Sequence, residues 1–236
     1  MNEIKCFYEH NGADTLLWAT EYPGAYTRGG SLEIAKAKME RELEQYAKWS
    51  GDKPLADVVA VVTEEKESEL DICDADSDAI FDNEKLPMSR AEYDKLKSLA
   101  LKSASDFLTM YVSIPDKDKG CKPARKTFYG MTPSAATEMY EHTKNVNSYY
   151  FGEIGVDVDN GGDISTCRKR GFELLEKSEF LNNKVYDGSY GEQWSIKKVL
   201  RRFIWHDRIH ARAMFRLARK LFGLGAFVDA FGFGRE

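Results

Sequence analysis

The feature that most constrains the fold is a long helical pattern near the C-terminus, over residues 191–222, which stops at Gly223. Apolar side chains recur along it at steps of three and four, which is the spacing of one face of an α-helix. Two histidines share that stripe, whose members are Val199, Phe203, His206, His210, Met214, Leu217 and Leu221. Because a helix of this kind buries its apolar stripe, both imidazoles are predicted to face the interior.

A third histidine lies on a similar stripe of an earlier predicted helix. That stripe consists of Ala135, Met139, His142, Val146 and Tyr149. The i,i+4 spacing of His206 and His210 places their imidazoles on one face, about 5–6 Å apart at Cβ. Burying three imidazoles without partners is costly, whereas neutral imidazole is a good ligand for zinc, nickel or iron(II). His142, His206 and His210 are therefore predicted to hold one divalent metal ion and to leave coordination positions open.

The alternative is that these three are ordinary core histidines, hydrogen-bonded to backbone carbonyls or tyrosines. Asp207 follows His206 directly, but it lies about 100° around the helix and is not expected to be a metal ligand. The fourth histidine, His10, adjoins the turn dipeptide Asn11-Gly12 and is predicted to be an exposed loop residue.

Helical patterns cover residues 88–236, which we predict to form a four-helix bundle. The helices are expected at residues 89–112, 132–151, 165–181 and 191–222. Ser89 is a good N-cap for the first helix, and Thr132-Pro133 starts the second with proline at its first position. The aromatic, glycine-rich tail after residue 223 is expected to fold back onto the bundle.

Residues 1–63 combine short β-like runs with one helix, so the chain as a whole is predicted to be an α+β protein. Runs at residues 5–9 and 16–20 flank Asn11-Gly12 and predict a hairpin. Ser31 caps a helix that reaches about residue 49, and the β-branched run at residues 56–63 predicts a third, buried strand. This part is therefore expected to be a small αβ domain with a three-stranded antiparallel sheet and one helix.

An acidic segment, residues 64–87, connects the two predicted domains and is expected to be a solvated linker or an edge segment. Asp74, Asp76 and Asp78 match the start of a calcium loop, but Ala79 stands where the sharp turn needs glycine. Lys85 also stands where a bidentate glutamate belongs, so calcium binding is not predicted.

Composition narrows the class of partner. The net charge of -5 argues against a broad nucleic-acid-binding face. No apolar run approaches the ~20 residues of a membrane helix, and the N-terminal segment MNEIKCFYEH has no apolar signal core. A cytoplasmic protein without a nucleic-acid or membrane partner is therefore expected. The cysteines have no paired spacing, so free packing thiols are predicted for Cys6, Cys73, Cys121 and Cys167.

Residues 23–39, PGAYTRGGSLEIAKAKM, resemble part of the small αβ fold of HicB-type antitoxins, a partial RNase-H-like unit. The resemblance implies only the fold of residues 1–63, because no helix-turn-helix for DNA binding follows it.

Residues 88–236 resemble a domain of the DinB superfamily. The resemblance is carried by His142 in MYEHTKNVNSYYF, by WHDRIHARAMFRLARKLFG with His206 and His210, and by the aromatic tail VDAFGF. It implies a four-helix bundle in which one histidine of the second helix and a His-x-x-x-His pair of the last helix hold a divalent metal. It also implies a low-molecular-weight thiol cosubstrate, of the mycothiol or bacillithiol type, and a homodimer. The N-terminal αβ segment is a departure from simple members of this family.

Two functions follow from these residues. In the first, a metal with open positions ionises a bound thiol for attack on an electrophile, as in a thiol S-transferase, or ionises water for hydrolysis. Glu138, one turn before His142, is a candidate general base or orienting partner, although a partly solvated helix residue is the simpler interpretation. Tyr149 and Tyr150 either line the pocket or belong to the core. The alternative function is a non-enzymatic stress or partner-binding protein with a structural metal.

Overall fold

The chain is an α+β protein whose N-terminal part is a four-stranded sheet with helices and whose remainder is mainly helical. The computed structural model describes residues 2–70, 72, 77–120, 126–127 and 130–234. Within these residues no helix has the length and apolar character that crossing a bilayer requires.

Four strands form one mixed sheet in the order β3-β2-β1-β4. Their bounds are Asn2–Asn11 for β1, Asp14–Ala19 for β2, Tyr26–Gly29 for β3 and Val58–Glu67 for β4. Antiparallel pairing joins β1 to β2 and β2 to β3, but β1 and β4 are parallel. The predicted three-stranded antiparallel sheet is therefore wrong in strand number and in the direction of its last strand.

Both differences follow from how the chain reverses. After Pro23-Gly24 the chain turns back along β2, so the short segment Tyr26–Gly29 becomes a strand of its own. Two helices, α1 (Leu32–Lys36) and α2 (Met39–Ser50), then cross one face of the sheet. A helical crossover is the usual connection between parallel strands, and it brings β4 alongside β1 in the same direction. The single helix predicted for this region is thus two helices.

In the described part of the chain, four further α-helices follow. They are α3 (Arg90–Ser113), α4 (Ala136–Gly152), α5 (Ile164–Leu175) and α6 (Ile196–Phe222). The side chains of Ser89, Asp163 and Ser195 cap α3, α5 and α6 by accepting a hydrogen bond from a backbone N–H three residues later. The prediction of a long last helix that stops at Gly223 is confirmed, since Gly223 is the C-cap of α6.

Three helix boundaries differ from those predicted. α4 begins at Ala136 rather than at Thr132-Pro133, after a short strand pair formed by β5 (Lys126–Thr127) and β6 (Gly130–Met131). α5 ends at Leu175, six residues before the expected 181. α6 begins at Ile196 because the residues just before it form a second small pair, β7 (Tyr186–Asp187) and β8 (Gln193–Trp194).

The acidic segment begins inside the edge strand β4, which ends at Glu67. Its last part packs against the rest of the protein. Ala79 and Phe81 are buried in a cluster with Trp18 of β2 and Trp205 of α6. The Ser77 hydroxyl donates to the buried carboxylate of Glu9 at 2.6 Å. The end of the segment is therefore not a solvated linker, because polar and aromatic residues of the sheet and α6 bind it.

Several sequence predictions for this region and for the cysteines fall outside the described residues. These are Asp74 and Asp76 of the calcium-loop match, together with Cys73 and Cys121. The remaining cysteines, Cys6 and Cys167, are buried free thiols, as predicted.

α6 lies between the sheet and the other helices. On one side its Phe203 ring packs on Tyr150 and Phe151 of α4, with ring centroids 5.3 and 5.1 Å apart. On another side its Trp205 ring packs on Trp18 and Tyr26 of the sheet, at 5.0 and 6.2 Å. Because α6 packs against the sheet on one side and against α4 on another, its residues are positioned by both parts of the chain.

Gly171 on α5 allows this helix to approach α4 closely. A Cβ built at Gly171 would lie 2.1 Å from Cε2 of the fully buried Phe151 ring. Gly171→Ala is therefore expected to lower the free energy of unfolding by about 1–3 kcal/mol, since overpacking outweighs the roughly 1 kcal/mol that alanine gains in a helix. Urea unfolding followed by circular dichroism measures the change. Gly152→Ala is the control, because its Cβ would meet nothing within 4 Å; equal losses in both variants would contradict this explanation.

Candidate metal centre

Three histidine side chains meet where α4 packs on α6. His142 is on α4, and His206 and His210 are one turn apart on α6. The ring centroids are 5.0 Å apart for His142 and His206, 4.8 Å for His142 and His210, and 4.5 Å for His206 and His210. One ring nitrogen of each lies within 4.8 Å of the others, so the group could hold a metal ion. The structure thus brings together all three predicted ligands.

The spacing of two of the nitrogens suits a shared ion. Nε2 of His206 and Nε2 of His142 are 3.2 Å apart. Ligand nitrogens about 2.1 Å from one metal, at tetrahedral or octahedral angles, are separated by roughly 3.0–3.4 Å. The two imidazoles therefore already stand at the separation that a common ion requires.

The surroundings keep these imidazoles neutral at physiological pH. Burial lowers the pKa of His206 well below its ordinary value, and His210, His142, Arg202 and Arg168 lower it further. Burial and the neighbouring His142 lower the pKa of His210 to about 3. Although the His142 side chain reaches solvent, the protein around it partly desolvates the imidazole and lowers its pKa. A neutral imidazole has a free lone pair, which is the form that binds a metal.

Over the described ranges, the polar partners of these imidazoles are few: the Nε2 atoms of His206 and His142 lie within hydrogen-bond distance of each other. The buried Nδ1 atom of His206 has no hydrogen-bond partner among the described residues. No hydrogen bond joins any of the three imidazoles to a backbone carbonyl or a tyrosine in the described part of the chain. Because buried polar atoms are normally bonded, this arrangement fits a set of metal ligands better than the alternative of core histidines.

The centre opens to solvent on one side. His206 is buried and His210 is half-buried, whereas His142 is exposed. Tyr150 is buried with its ring centroid 6.1 Å from that of His206, and it packs on Trp194 at 5.3 Å. The half-exposed Tyr149 continues this aromatic wall, 5.9 Å from Trp194. An ion held here would have protein on the α6 side and solvent on the His142 side.

Within the described residues, no hydrogen bond joins Glu138 to a histidine. It is exposed, and its Oε2 accepts hydrogen bonds from the backbone N–H and the hydroxyl of Ser134 at 2.6 and 2.9 Å. These bonds lower the pKa of its carboxyl. The spacing that suggested an orienting partner for His142 instead serves the first turn of α4, where a carboxylate satisfies free N–H groups. These contacts match the simpler interpretation of Glu138 as a solvated helix residue.

Two other predictions have different outcomes. Asp207 is fully buried and binds Arg168 of α5 through both carboxylate oxygens, so it is not a metal ligand, as expected. His10 is not a loop residue, because β1 extends to Asn11. Its Nε2 lies 3.2 Å from Oε1 of Glu65, so pairing with β4 explains its position.

The sequence patterns do not indicate the buried arginine side chains, Arg202 and Arg168, that act on His206. Arg202 lies one turn before His206, is buried, and donates to the backbone carbonyl of Ser77 at 2.6 Å. Its guanidinium lies 4.8 Å from the Trp205 ring centroid and 5.5 Å from that of Tyr150. Arginine is rarely buried without a partner. The partner of Arg202 is the carbonyl of Ser77, 125 positions earlier in the chain. Local sequence patterns cannot reveal so distant a contact.

A cleft of about 530 Å³ lies elsewhere, between the N-terminal part and α3 and α6. Tyr22, Tyr46, Leu96 and Lys197 are among its lining residues, and none of the three histidines is. Its size alone does not make it the reactive site, because the clustered metal-ligand chemistry is at the histidines.

No family model, no curated protein and no solved structure matches this chain. The resemblances to the DinB and HicB families therefore rest on the quoted residues, and function has to be argued from the geometry of the histidine centre.

Proposed function

We propose that this protein is a divalent-metal-dependent enzyme of DinB-like type that transfers a low-molecular-weight thiol to an electrophilic substrate. The observation that carries the proposal is the convergence of His142, His206 and His210 at a place where one of them is exposed. Three protein nitrogens leave coordination positions for other ligands, which is typical of catalytic rather than closed structural sites. A purely structural metal would favour a site sealed by side chains, and the exposure of His142 speaks against that alternative.

A bundle of the DinB type is part of this proposal. α3 packs against α6, α6 against α4, α4 against α5, and α5 against α3. This closed ring of contacts is what four neighbouring helices of a bundle make. It supports the assignment of α4 and α6 as the second and last helices, on which the family resemblance places the ligands.

The charges around the centre favour an anionic ligand. The three imidazoles are neutral, and no carboxylate is hydrogen-bonded to them among the described residues. The charged groups that act on His206 are the guanidinium groups of Arg202 and Arg168. A dication here would therefore keep its full charge, and an anion such as a thiolate would compensate it.

The transfer can be written with the chain's residues in stated roles. A bound divalent ion would supply a strong positive charge that lowers the pKa of a thiol, so that its proton is released to solvent near neutral pH. His206 and His210 fix the site to α6, and His142 holds its open side. The sulfur forms a bond to an electrophilic carbon while the bond from that carbon to a halide breaks, and the halide leaves with the electron pair. Tyr150 and Trp194 offer an apolar wall for such a substrate.

The test uses the full-length protein. Protein purified without added metal is analysed for metal content, reloaded with cobalt(II), and titrated with cysteine as the thiol. We expect about one ion per chain and a new sulfur-to-cobalt charge-transfer absorption as thiol is added. Serine is the matched control, because it differs from cysteine only by oxygen in place of sulfur.

Each result of this titration decides between functions. Cobalt binding without any response to cysteine would overturn the thiol transferase. Turnover of an activated ester in the absence of thiol would indicate hydrolysis at the same centre instead. Cobalt binding with neither thiol response nor turnover would support a structural metal.

A further inference from the structure

The turn between β2 and β3 sits directly on the backbone of α6, next to a metal ligand. Gly24 in this turn is buried and has φ of +87°, a conformation that favours glycine. A Cβ at Gly24 would lie 2.6 Å from Cγ2 of Ile204, 3.0 Å from the backbone N of Trp205 and 3.1 Å from the carbonyl carbon of Ile204. There is therefore no room for a side chain between the turn and the residues that precede His206.

The turn is held in place by α2. The Tyr46 hydroxyl donates to the carbonyl oxygen of Pro23 at 3.0 Å, on the residue just before Gly24. The backbone N–H of Tyr26, just after the turn, faces Oε1 of Glu42 at 3.4 Å. Both bonds come from helix side chains that are themselves buried, so the turn has a fixed position relative to α2.

The same carboxylate binds α6 beyond His206. Arg208 and Arg212 of α6 donate to the two oxygens of Glu42, each at 2.6 Å. Burial would raise the pKa of Glu42, but these two guanidinium groups hold it below its ordinary value, so the carboxylate is charged. α6 is thus bound to the N-terminal part just before His206, again between His206 and His210 through Arg208, and just after His210 through Arg212.

We infer that Gly24 is a positioning residue for the metal centre, and that the N-terminal αβ unit sets the place of His206 by seating its β2–β3 turn on α6. This inference rests on the proposed metal site. It gives the N-terminal unit a role in the chemistry of the helical part, although the unit supplies none of the three clustered histidines. Residues that orient metal ligands typically change metal affinity about 10–100-fold when altered.

The experiment compares two glycine variants of the full chain. In Gly24→Ala the new methyl group has to push α6 away from the turn, and we expect cobalt(II) affinity to fall roughly tenfold or more, with altered cobalt absorption bands. Gly51→Ala is the matched control. Gly51 has a similar positive φ of +83° and nothing within 4 Å of its would-be Cβ, so it tests a side chain at positive φ without the close approach. The control is expected to bind cobalt like the wild type.

Adding Ile204→Leu to Gly24→Ala tests the contact itself. Leucine lacks the Cγ2 methyl that lies nearest to the new Cβ, so the double variant is expected to regain part of the lost affinity. If Gly24→Ala does not fold, Tyr46→Phe decides, because it only frees Pro23 from its hydrogen bond and should still weaken cobalt binding and shift the bands.

Two results would overturn the inference. One is a cobalt affinity and a cobalt absorption spectrum like those of the wild type in Gly24→Ala or, if Gly24→Ala does not fold, in Tyr46→Phe. The other is an equal loss of affinity in Gly24→Ala and Gly51→Ala. Failure of the proposed metal site is recognised separately, because then the wild-type protein itself binds no cobalt.

Discussion

Asp207→Asn is expected to lower the free energy of unfolding by about 3–5 kcal/mol, the usual cost of removing one partner from a buried ion pair. For a chain of this size that corresponds to a fall in Tm of roughly 6–20 °C. Arg168 and Asp207 are both fully buried, and two bonds of 2.7 and 3.0 Å join them. Asparagine keeps the shape of the side chain, so thermal unfolding measures mainly the loss of charge.

The loss is large because Arg168 has no route to water. Its other donors already bind the side-chain oxygen of Asn147 on α4 at 2.8 Å and the carbonyl of Ala100 on α3 at 3.3 Å. Burial raises the pKa of the Asp207 carboxyl, and the adjacent guanidinium offsets only part of that rise. The pair therefore adds little net stability compared with apolar residues, but each charge depends on the other.

Two variants separate this explanation from a general loss of packing. Asp94→Asn removes a carboxylate that Arg90 also binds through both oxygens, at 2.9 and 3.0 Å, but on the surface. It should change stability by less than about 1 kcal/mol. The double variant Arg168→Met/Asp207→Leu should recover most of the stability lost in Asp207→Asn, since no charge remains buried. A double variant as unstable as the single one would contradict a charge effect.

The sequence predicted best those elements that local rules determine. α3 and α6 combine a serine cap with a long apolar stripe, and both were expected near their observed positions. β3 was missed because a four-residue strand after a Pro-Gly turn carries too little alternation to be recognised. The direction of β4 was missed because it depends on where two helices cross the sheet, which no local pattern specifies.

Long-range pairing explains why the end of the acidic segment is buried rather than solvated. Glu84 is buried because Arg201 of α6, 117 positions later, binds its carboxylate. Its neighbour Phe81 lies under the same guanidinium, 4.1 Å from it. An acidic run is usually solvated, and only the tertiary partner shows that this one is not.

The meeting of the histidines is predictable because it depends mainly on helical periodicity and on the rarity of the residue type. The predicted faces are right only for α6, where His206 is buried and His210 half-buried. His142 is expected on a buried stripe with Val146 and Tyr149 but is exposed, because α4 buries the face of Tyr140, Thr143 and Tyr150 instead. Glu138 shows the limit of that reasoning, because one spacing fits both a partner of His142 and a cap of the first turn of α4. Only the observed bonds to Ser134 distinguish the two roles.

His142→Ala is expected to abolish most metal binding, and it is the clearest test of the centre because His142 is exposed. Truncating an exposed side chain leaves no cavity, so a loss of zinc reports the loss of a ligand. Wild-type protein in zinc at about 100 times its Kd should gain about 2.7 kcal/mol, a rise in Tm of roughly 5–11 °C. The variant should show little zinc by elemental analysis and almost no rise in Tm.

His206→Ala should show the same missing response, although burial of His206 means that its metal-free form is also destabilised by a cavity. The Tm of each variant is therefore compared with and without zinc. The cavity is present in both measurements, so it does not contribute to the difference. His10→Ala is the control, since His10 pairs with Glu65 on the sheet and should keep the full zinc response. Wild-type zinc content in His142→Ala would show that the imidazoles of α6 hold the ion without α4, and a centre of three histidines would then be wrong.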